Sequence, residues 1–148
     1  MLHRAYYKFS NLRTSKGVLS GVIYGFPYIL NSLIKFHLPT DVIVVFDGGK
    51  DKKRLELHPE YKGHRKLKVN FDADDFYRQK DEVVKILIAL GIKVVQQKNK
   101  EADDIIWLIT RRYKRTWQVV IVSSDKDFNQ LISKNVSIWN PKLSVRVT

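Results

Sequence analysis

Asp41-Val42-Ile43-Val44-Val45-Phe46-Asp47 is the stretch that decides the fold. Its five central residues are apolar and mostly β-branched, with no alternation. A run apolar on both faces belongs to a strand covered on both sides, the position of a central strand in a parallel sheet. Val119-Val120-Ile121-Val122 is a second run of this kind. Upstream, Ile23, Phe26, Leu30, Leu33 and Ile34 recur at helical spacing over Gly21–Phe36. Pro27 lies inside that stretch, and proline is tolerated near a helix start, so the regular helix is expected to begin or kink there. Downstream, the pattern predicts a helix near Asp81–Leu90 ended by Gly91 as its C′ residue. A strand at Ile92–Val95 follows, then a helix from about Glu101 to Tyr113 with Ala102, Ile105, Ile106 and Ile109 on one face. After Val119–Val122 come a short helix at about Asp127–Ile132, a strand near Val136–Trp139, and Val145–Val147 as an edge pairing. Strands alternating with helices define an α/β layer fold with a mostly parallel sheet flanked by helices.

The chain has 148 residues and no cysteine, with 27 Lys+Arg against 15 Asp+Glu and a formal net charge of +12. That length suits one domain, expected to run over 1–148. The 44% hydrophobic and 11% aromatic content argues against disorder. Without cysteine there is no disulfide framework and no thiolate-ligated zinc or iron–sulfur centre. The apolar runs are too short for a membrane span, and Met1-Leu2-His3-Arg4 lacks a signal-peptide apolar region. The expectation is a soluble cytoplasmic domain, and the charge points to a polyanionic partner, most often nucleic acid. The four histidines, His3, His37, His58 and His64, are scattered and form no ligand set.

Gly48–Lys80 shows no clean periodicity, and a loop of that length inside a compact domain is usually functional or mobile. From Lys50 to Lys68 it holds eight Lys/Arg against three acids; from Asp72 to Glu82 it turns acidic.

Ligands of open α/β sheets bind beyond the carboxyl ends of the strands, and three acidic motifs fall there. Asp47 follows Val42–Phe46. Asp125 and Asp127 follow Val119–Val122. Glu101, Asp103 and Asp104 open the helix after Ile92–Val95. Residues i and i+3 share a helix face, so Glu101 and Asp104 converge, whereas Asp103 diverges unless the first turn is irregular. Each motif alone has an ordinary reading, because acids suit helix first turns and Asp caps helices and turns. Three together would repel, and a divalent cation resolves that repulsion. Oxygen-only donors favour Mg²⁺ or Mn²⁺ over zinc. Two such ions can activate water and stabilise both oxygens of a phosphodiester displacement.

With these residues in place the chain resembles the 5′-nuclease family: the 5′→3′ exonuclease domain of bacterial DNA polymerase I, the bacteriophage 5′-exonucleases and the flap endonucleases, with a PIN-like, Rossmann-like fold. The resemblance runs through Leu2-His3-Arg4-Ala5-Tyr6, Gly21-Val22-Ile23-Tyr24-Gly25, Val45-Phe46-Asp47, Glu60-Tyr61-Lys62-Gly63-His64-Arg65, Glu101-Ala102-Asp103-Asp104 and Ser124-Asp125-Lys126-Asp127. It implies a metal-dependent, structure-specific 5′ nuclease of DNA replication and repair, acting on DNA with a 5′ end or flap, or on an RNA/DNA hybrid. It implies a first metal held by Asp47, Glu101, Asp103 and also Asp104, and a second held or bridged by Asp125 and Asp127. Lys62 and Arg65 match the cationic pair that clamps the scissile phosphate, in keeping with preplaced cations meeting transition-state charge. Tyr61 matches the aromatic on which a terminal base stacks, Arg4 an arginine near the phosphate, and Lys66 adds to the DNA-binding set. Residues 48–80, and Leu67–Lys80 in particular, resemble the helical arch that passes a 5′ single strand.

Two departures from the family pattern stand out. The family has an Asp-terminated strand upstream of the segment matching Leu2–Tyr6, and no Asp precedes Asp41 here. It also continues into a Gly-Asp-x-x-Asp motif and a helix–hairpin–helix. The expectation is a monomeric catalytic core short at both ends, with cleavage reduced by the missing ligand. The alternatives are a catalytically inactive nucleic-acid-binding fragment and a PIN-type ribonuclease. Arg111-Arg112-Tyr113-Lys114-Arg115-Thr116-Trp117 is a second cationic cluster, read chiefly as complementing a helix dipole. Trp107 and Trp139 are expected in the core.

Overall fold

The computed structural model describes residues 1–49 and 71–148. In chain order it contains α1 (Leu2–Lys8), α2 (Gly21–His37), β1 (Ile43–Phe46), α3 (Ala73–Ala89), β2 (Lys93–Gln96), α4 (Ala102–Tyr113), β3 (Val119–Val122), a 3₁₀ helix (Lys126–Leu131), β4 (Val136–Asn140) and β5 (Val145–Val147). This is the α/β alternation that the apolar runs predict. No helix among the described residues is long and apolar enough to cross a membrane. The chain divides into two compact units, residues 1–44 with 53–95 and residues 45–52 with 96–148. β1 and β2 are hydrogen-bonded neighbours, and the chain passes from one unit to the other within each of them.

The first unit is a helical layer. α2 buries Val22, Phe26 and Leu30, and α3 buries Phe76, Val83 and Leu87, each set at helical spacing. α2 begins at Gly21, so it neither starts nor is delayed at Pro27, which lies in its second turn. Tolerance there means only that the Ile23 carbonyl loses its usual intrahelical donor.

α3 corrects the sequence reading by a full two turns. It starts at Ala73, not near Asp81, so residues 73–80 of the stretch likened to an arch are the first half of a packed helix. Asp72 is the N-cap, its side chain accepting from the Asp75 N–H at 3.0 Å. The apolar stripe is interrupted by buried Gln79 and Lys80, which hid the period. At the other end α3 stops as expected. Gly91 takes φ +73°, its N–H donates to Ile88, and the Ile92 N–H donates to Leu87, a Schellman closure.

The second unit holds the three-stranded sheet β3-β4-β5. β3 and β4 are parallel, with Val119 opposite Val136 and Val122 opposite Trp139. β4 and β5 are antiparallel, so Val145–Val147 forms the expected edge pairing. Ile121, Phe128, Val136 and Ile138 make its core, with Ile106, Val119, Leu131, Ile132 and Val147 packed against them. Trp107 departs from expectation. It stands 38% exposed on α4, with the Arg111 guanidinium 4.7 Å from its ring centroid. That i, i+4 pair is a surface cation–π contact rather than core packing.

Candidate metal centre

All six acids of the expected metal set, Asp47, Glu101, Asp103, Asp104, Asp125 and Asp127, belong to the second unit. From Val83 to Thr148 the chain has only five acids, and these are Glu101, Asp103, Asp104, Asp125 and Asp127. The surrounding sequence is otherwise cationic or neutral, so the negative charge of this unit is concentrated in three short segments.

Asp47 sits at the carboxyl end of β1. Its Oδ1 accepts the backbone N–H of Ala102, the first residue of α4, at 2.7 Å. Its own carbonyl accepts from Gln96 Nε2 at 2.8 Å. The next residue, Gly48, is clamped to the turn before α4: its N–H donates to Lys100 and its carbonyl accepts from Asn99, both at 2.9 Å. A Cβ at Gly48 would overlap the Gln97 carbonyl, so only glycine permits this approach. The strand end and the helix start are thereby tied together by backbone and cap bonds.

Glu101 is the N-cap residue of α4, with extended backbone (φ −78°, ψ 147°) and no side-chain cap bond, and it is buried. Asp103 and Asp104 occupy the first helical turn, Asp103 exposed and Asp104 half-buried. The regular-helix argument that separates Glu101 from Asp103 therefore does not govern here, because Glu101 lies outside the helical lattice.

Asp125 caps the 3₁₀ helix, its Oδ1 accepting from the Asp127 N–H at 3.0 Å. Its own N–H donates to Ser123 Oγ at 3.1 Å. Phe128, buried in the core, anchors this turn directly behind the acids. Asp125 and Asp127 are both exposed. Gly48 and Ser123 carry no charge to draw attention in the sequence, although their Asp-Gly-Gly and Ser-Ser-Asp contexts carry the signal of tight turns.

The donors are all carboxylate oxygens, which suits a hard divalent cation. Among the described residues no group of three or more His, Asp or Glu side chains is drawn together closely enough to hold a metal ion. Arg4 belongs to the first unit, exposed on α1. Tyr61, Lys62, Arg65 and Lys66, and with them the basic part of the stretch 48–80, lie outside the described residues.

With acids at one strand end, one helix start and one capped turn, this α/β chain shares its fold with a solved 5′-exonuclease. The family model described as the 5′-3′ exonuclease, N-terminal resolvase-like domain matches residues 1–148, and the chain belongs to that family. It is 35% identical over 142 residues to a 5′-3′ exonuclease of Aquifex aeolicus, covering 95% of this chain and 47% of the relative. It is 34% identical over 145 residues to DNA polymerase I of Mycobacterium tuberculosis, covering 96% of this chain and 16% of the relative. The chain thus spans about half of one relative and about a sixth of the other. A bacteriophage T5 5′-exonuclease solved with divalent metal ions (zinc) superposes with a TM-score of 0.77 at 22% identity, over 99% of this chain and 54% of that one. The T5 D15 flap endonuclease in a pseudo-enzyme-product complex with DNA and metal ions gives 0.68 at 24% identity, over 80% of this chain and 46% of that one. These two likenesses bear on the fold.

Proposed function

We propose that this chain is the catalytic core of a divalent-metal-dependent 5′ nuclease that hydrolyses DNA phosphodiesters at a 5′ end or flap. Asp47, Glu101, Asp103 and Asp104 would hold one Mg²⁺ or Mn²⁺, and Asp125 and Asp127 a second. Bound there, the ions would supply an activated water and charge stabilisation for the leaving oxygen. Lys62 and Arg65 would clamp the scissile phosphate, Tyr61 would stack the terminal base, and Arg4 and Lys66 would meet the backbone. The observation that carries the reading is the Asp47–Ala102 bond. It fixes a strand-end carboxylate at the start of the helix bearing Glu101, Asp103 and Asp104. Family membership supports the chemistry, and the +12 charge supports a polyanionic substrate.

The test is incubation of the chain, its oligomeric state read from its elution volume, with a 5′-labelled DNA flap in Mg²⁺, in Mn²⁺ and in EDTA. A single-stranded RNA of equal length serves as comparison. Metal-dependent release of short 5′ products from the flap is expected. Preferential cutting of the RNA would favour a PIN-type ribonuclease. Binding that persists in EDTA, with no product in either metal, would favour a nucleic-acid-binding module.

A further inference from the structure

Residues 1–40 contain five Lys/Arg, namely Arg4, Lys8, Arg13, Lys16 and Lys35, and no Asp or Glu. On this acid-free stretch two tyrosines stand in the open. Tyr24 and Tyr28, one turn apart on α2, stack with ring centroids 5.8 Å apart and planes 16° from parallel. They are 53% and 52% exposed. Phe9 packs edge-on against both, at 5.5 Å and 6.1 Å. Its ring is seated where a Cβ on Gly25 would be, and its carbonyl where a Cβ on Gly21 would be. The two glycines therefore let the end of α1 press onto α2 and prop the tyrosine pair from one side. Lys8 Nζ lies 5.5 Å from the Phe9 centroid, at the foot of the same cluster.

We infer that Tyr24 and Tyr28 form a base-stacking platform for single-stranded nucleic acid, with Lys8 neutralising a backbone phosphate beside it. An aromatic stack is a costly thing to leave half in water, and every base offers it a π face whatever the sequence. The absence of any acid over these forty residues matches a polyanionic strand and disfavours a basic partner. The pair is pre-ordered by Phe9 and Gly25, so little side-chain freedom is lost on binding. The platform uses none of the acidic residues and none of Tyr61–Lys66. It rests on the reading of the chain as acting on DNA, and assigns it a second place of contact with the unpaired strand.

The experiment is fluorescence anisotropy of a labelled oligothymidylate titrated with the 148-residue chain in EDTA, over a series of salt concentrations. Stacking contributes about fivefold to a hundredfold in affinity per base. The Tyr24→Ala/Tyr28→Ala chain should therefore bind at least tenfold more weakly, with its salt slope unchanged. Tyr24→Phe/Tyr28→Phe should bind as the parent does. Lys8→Gln should keep the stack and lower the salt slope by about 0.7. Photocrosslinking of a 5-iododeoxyuridine strand should tag Tyr24 or Tyr28 on the unaltered chain, so the result does not hang on the folding of a variant. Alanine variants that bind as the parent does, crosslinks only elsewhere, or no binding by the parent each overturn the platform. A chain that binds through these tyrosines and cuts nothing loses the nuclease reading and keeps the platform. A chain that cuts a flap while its tyrosine-to-alanine form binds unchanged does the reverse.

Discussion

Asp47 Oδ1 caps α4 from a distant part of the chain, accepting the Ala102 N–H at 2.7 Å, while Glu101, the N-cap residue by position, makes no side-chain cap bond. The cap uses one of the two carboxylate oxygens and places a negative charge at the helix N-terminus, where the macrodipole favours it. Structure and proposed metal binding thus load the same side chain. Asp47→Asn keeps the acceptor oxygen, and Asp47→Ala removes it. Loss of a cap costs about 1 kcal/mol, which for a chain of this size lowers Tm by roughly 2–4 °C. Differential scanning calorimetry should show that drop for Asp47→Ala and little change for Asp47→Asn. Both should lose metal-dependent flap cleavage, because the amide carries no charge to hold a cation. Retained cleavage in Asp47→Asn would remove Asp47 from the ligand set.

The first turn of α4 offers two partners for Glu101, and the N-cap geometry decides between them. Helical phase pairs Glu101 with Asp104, but Glu101 has extended backbone and is not on the helix lattice. Asp103 is exposed and Asp104 half-buried. Asp103→Asn should therefore abolish Mn²⁺ binding measured by calorimetry. Asp104→Asn should weaken it by a smaller factor, its half-buried carboxylate being the less accessible of the two. The opposite order would restore the helical-phase pairing.

Gln79 does for α2 what Asp47 does for α4. Only 1% exposed, its Oε1 accepts from the Val22 N–H at 2.8 Å and the Ile23 N–H at 3.4 Å, and its Nε2 donates to Asp75 Oδ2 at 2.7 Å. Ser20, the N-cap of α2, contributes no side-chain bond. Gln79→Leu matches the apolar stripe better yet strands buried N–H groups, at about 1–3 kcal/mol. Chemical denaturation should show it destabilised, with the m-value unchanged. A neutral or stabilising result would mean water replaces the amide.

These three residues also mark where the sequence stops being legible. β1 and β3 announce themselves as strands by their unbroken β-branched runs, and Gly91 as a helix stop by its positive φ. The central position expected of those runs is not met: among the described residues β1 pairs with β2 alone and β3 lies at the edge of β3-β4-β5. The start of α3 does not announce itself, since its stripe passes through buried Lys80 and through Gln79, whose amide oxygen is matched to the Val22 and Ile23 N–H groups far away in sequence. Trp107 is misjudged for a related reason: periodicity locates a helix but does not say that Arg111, one turn on, will hold the ring at the surface. The acids themselves are readable from their places after strands. Their tethers are not, because Asp47 to Ala102 spans 55 residues and ends on a backbone N–H that any residue type supplies.

Gly48 offers the sharpest test of those tethers. Its backbone is bonded on both sides, to Lys100 and to Asn99, and its missing side chain is what lets the Gln97 carbonyl approach. Glycine-to-alanine changes at compatible positions stabilise by about 0.4–1 kcal/mol through the unfolded chain, so the sign here is diagnostic. At Gly48 the added methyl meets backbone rather than a side chain that could swing away, and one loop must move. The movement would carry Asp47 off the Ala102 N–H. Gly48→Ala should therefore destabilise by about 1–3 kcal/mol, as overpacking does. It should lower flap cleavage at least as far as Asp47→Ala, though every carboxylate is still present. Gly91→Ala is the control: it is strained by its φ of +73° but has open space around it, so it should cost stability at the end of α3 and leave cleavage intact. If Gly48→Ala cuts at the parental rate, the clamp between the end of β1 and the start of α4 is not what holds the acidic residues in place.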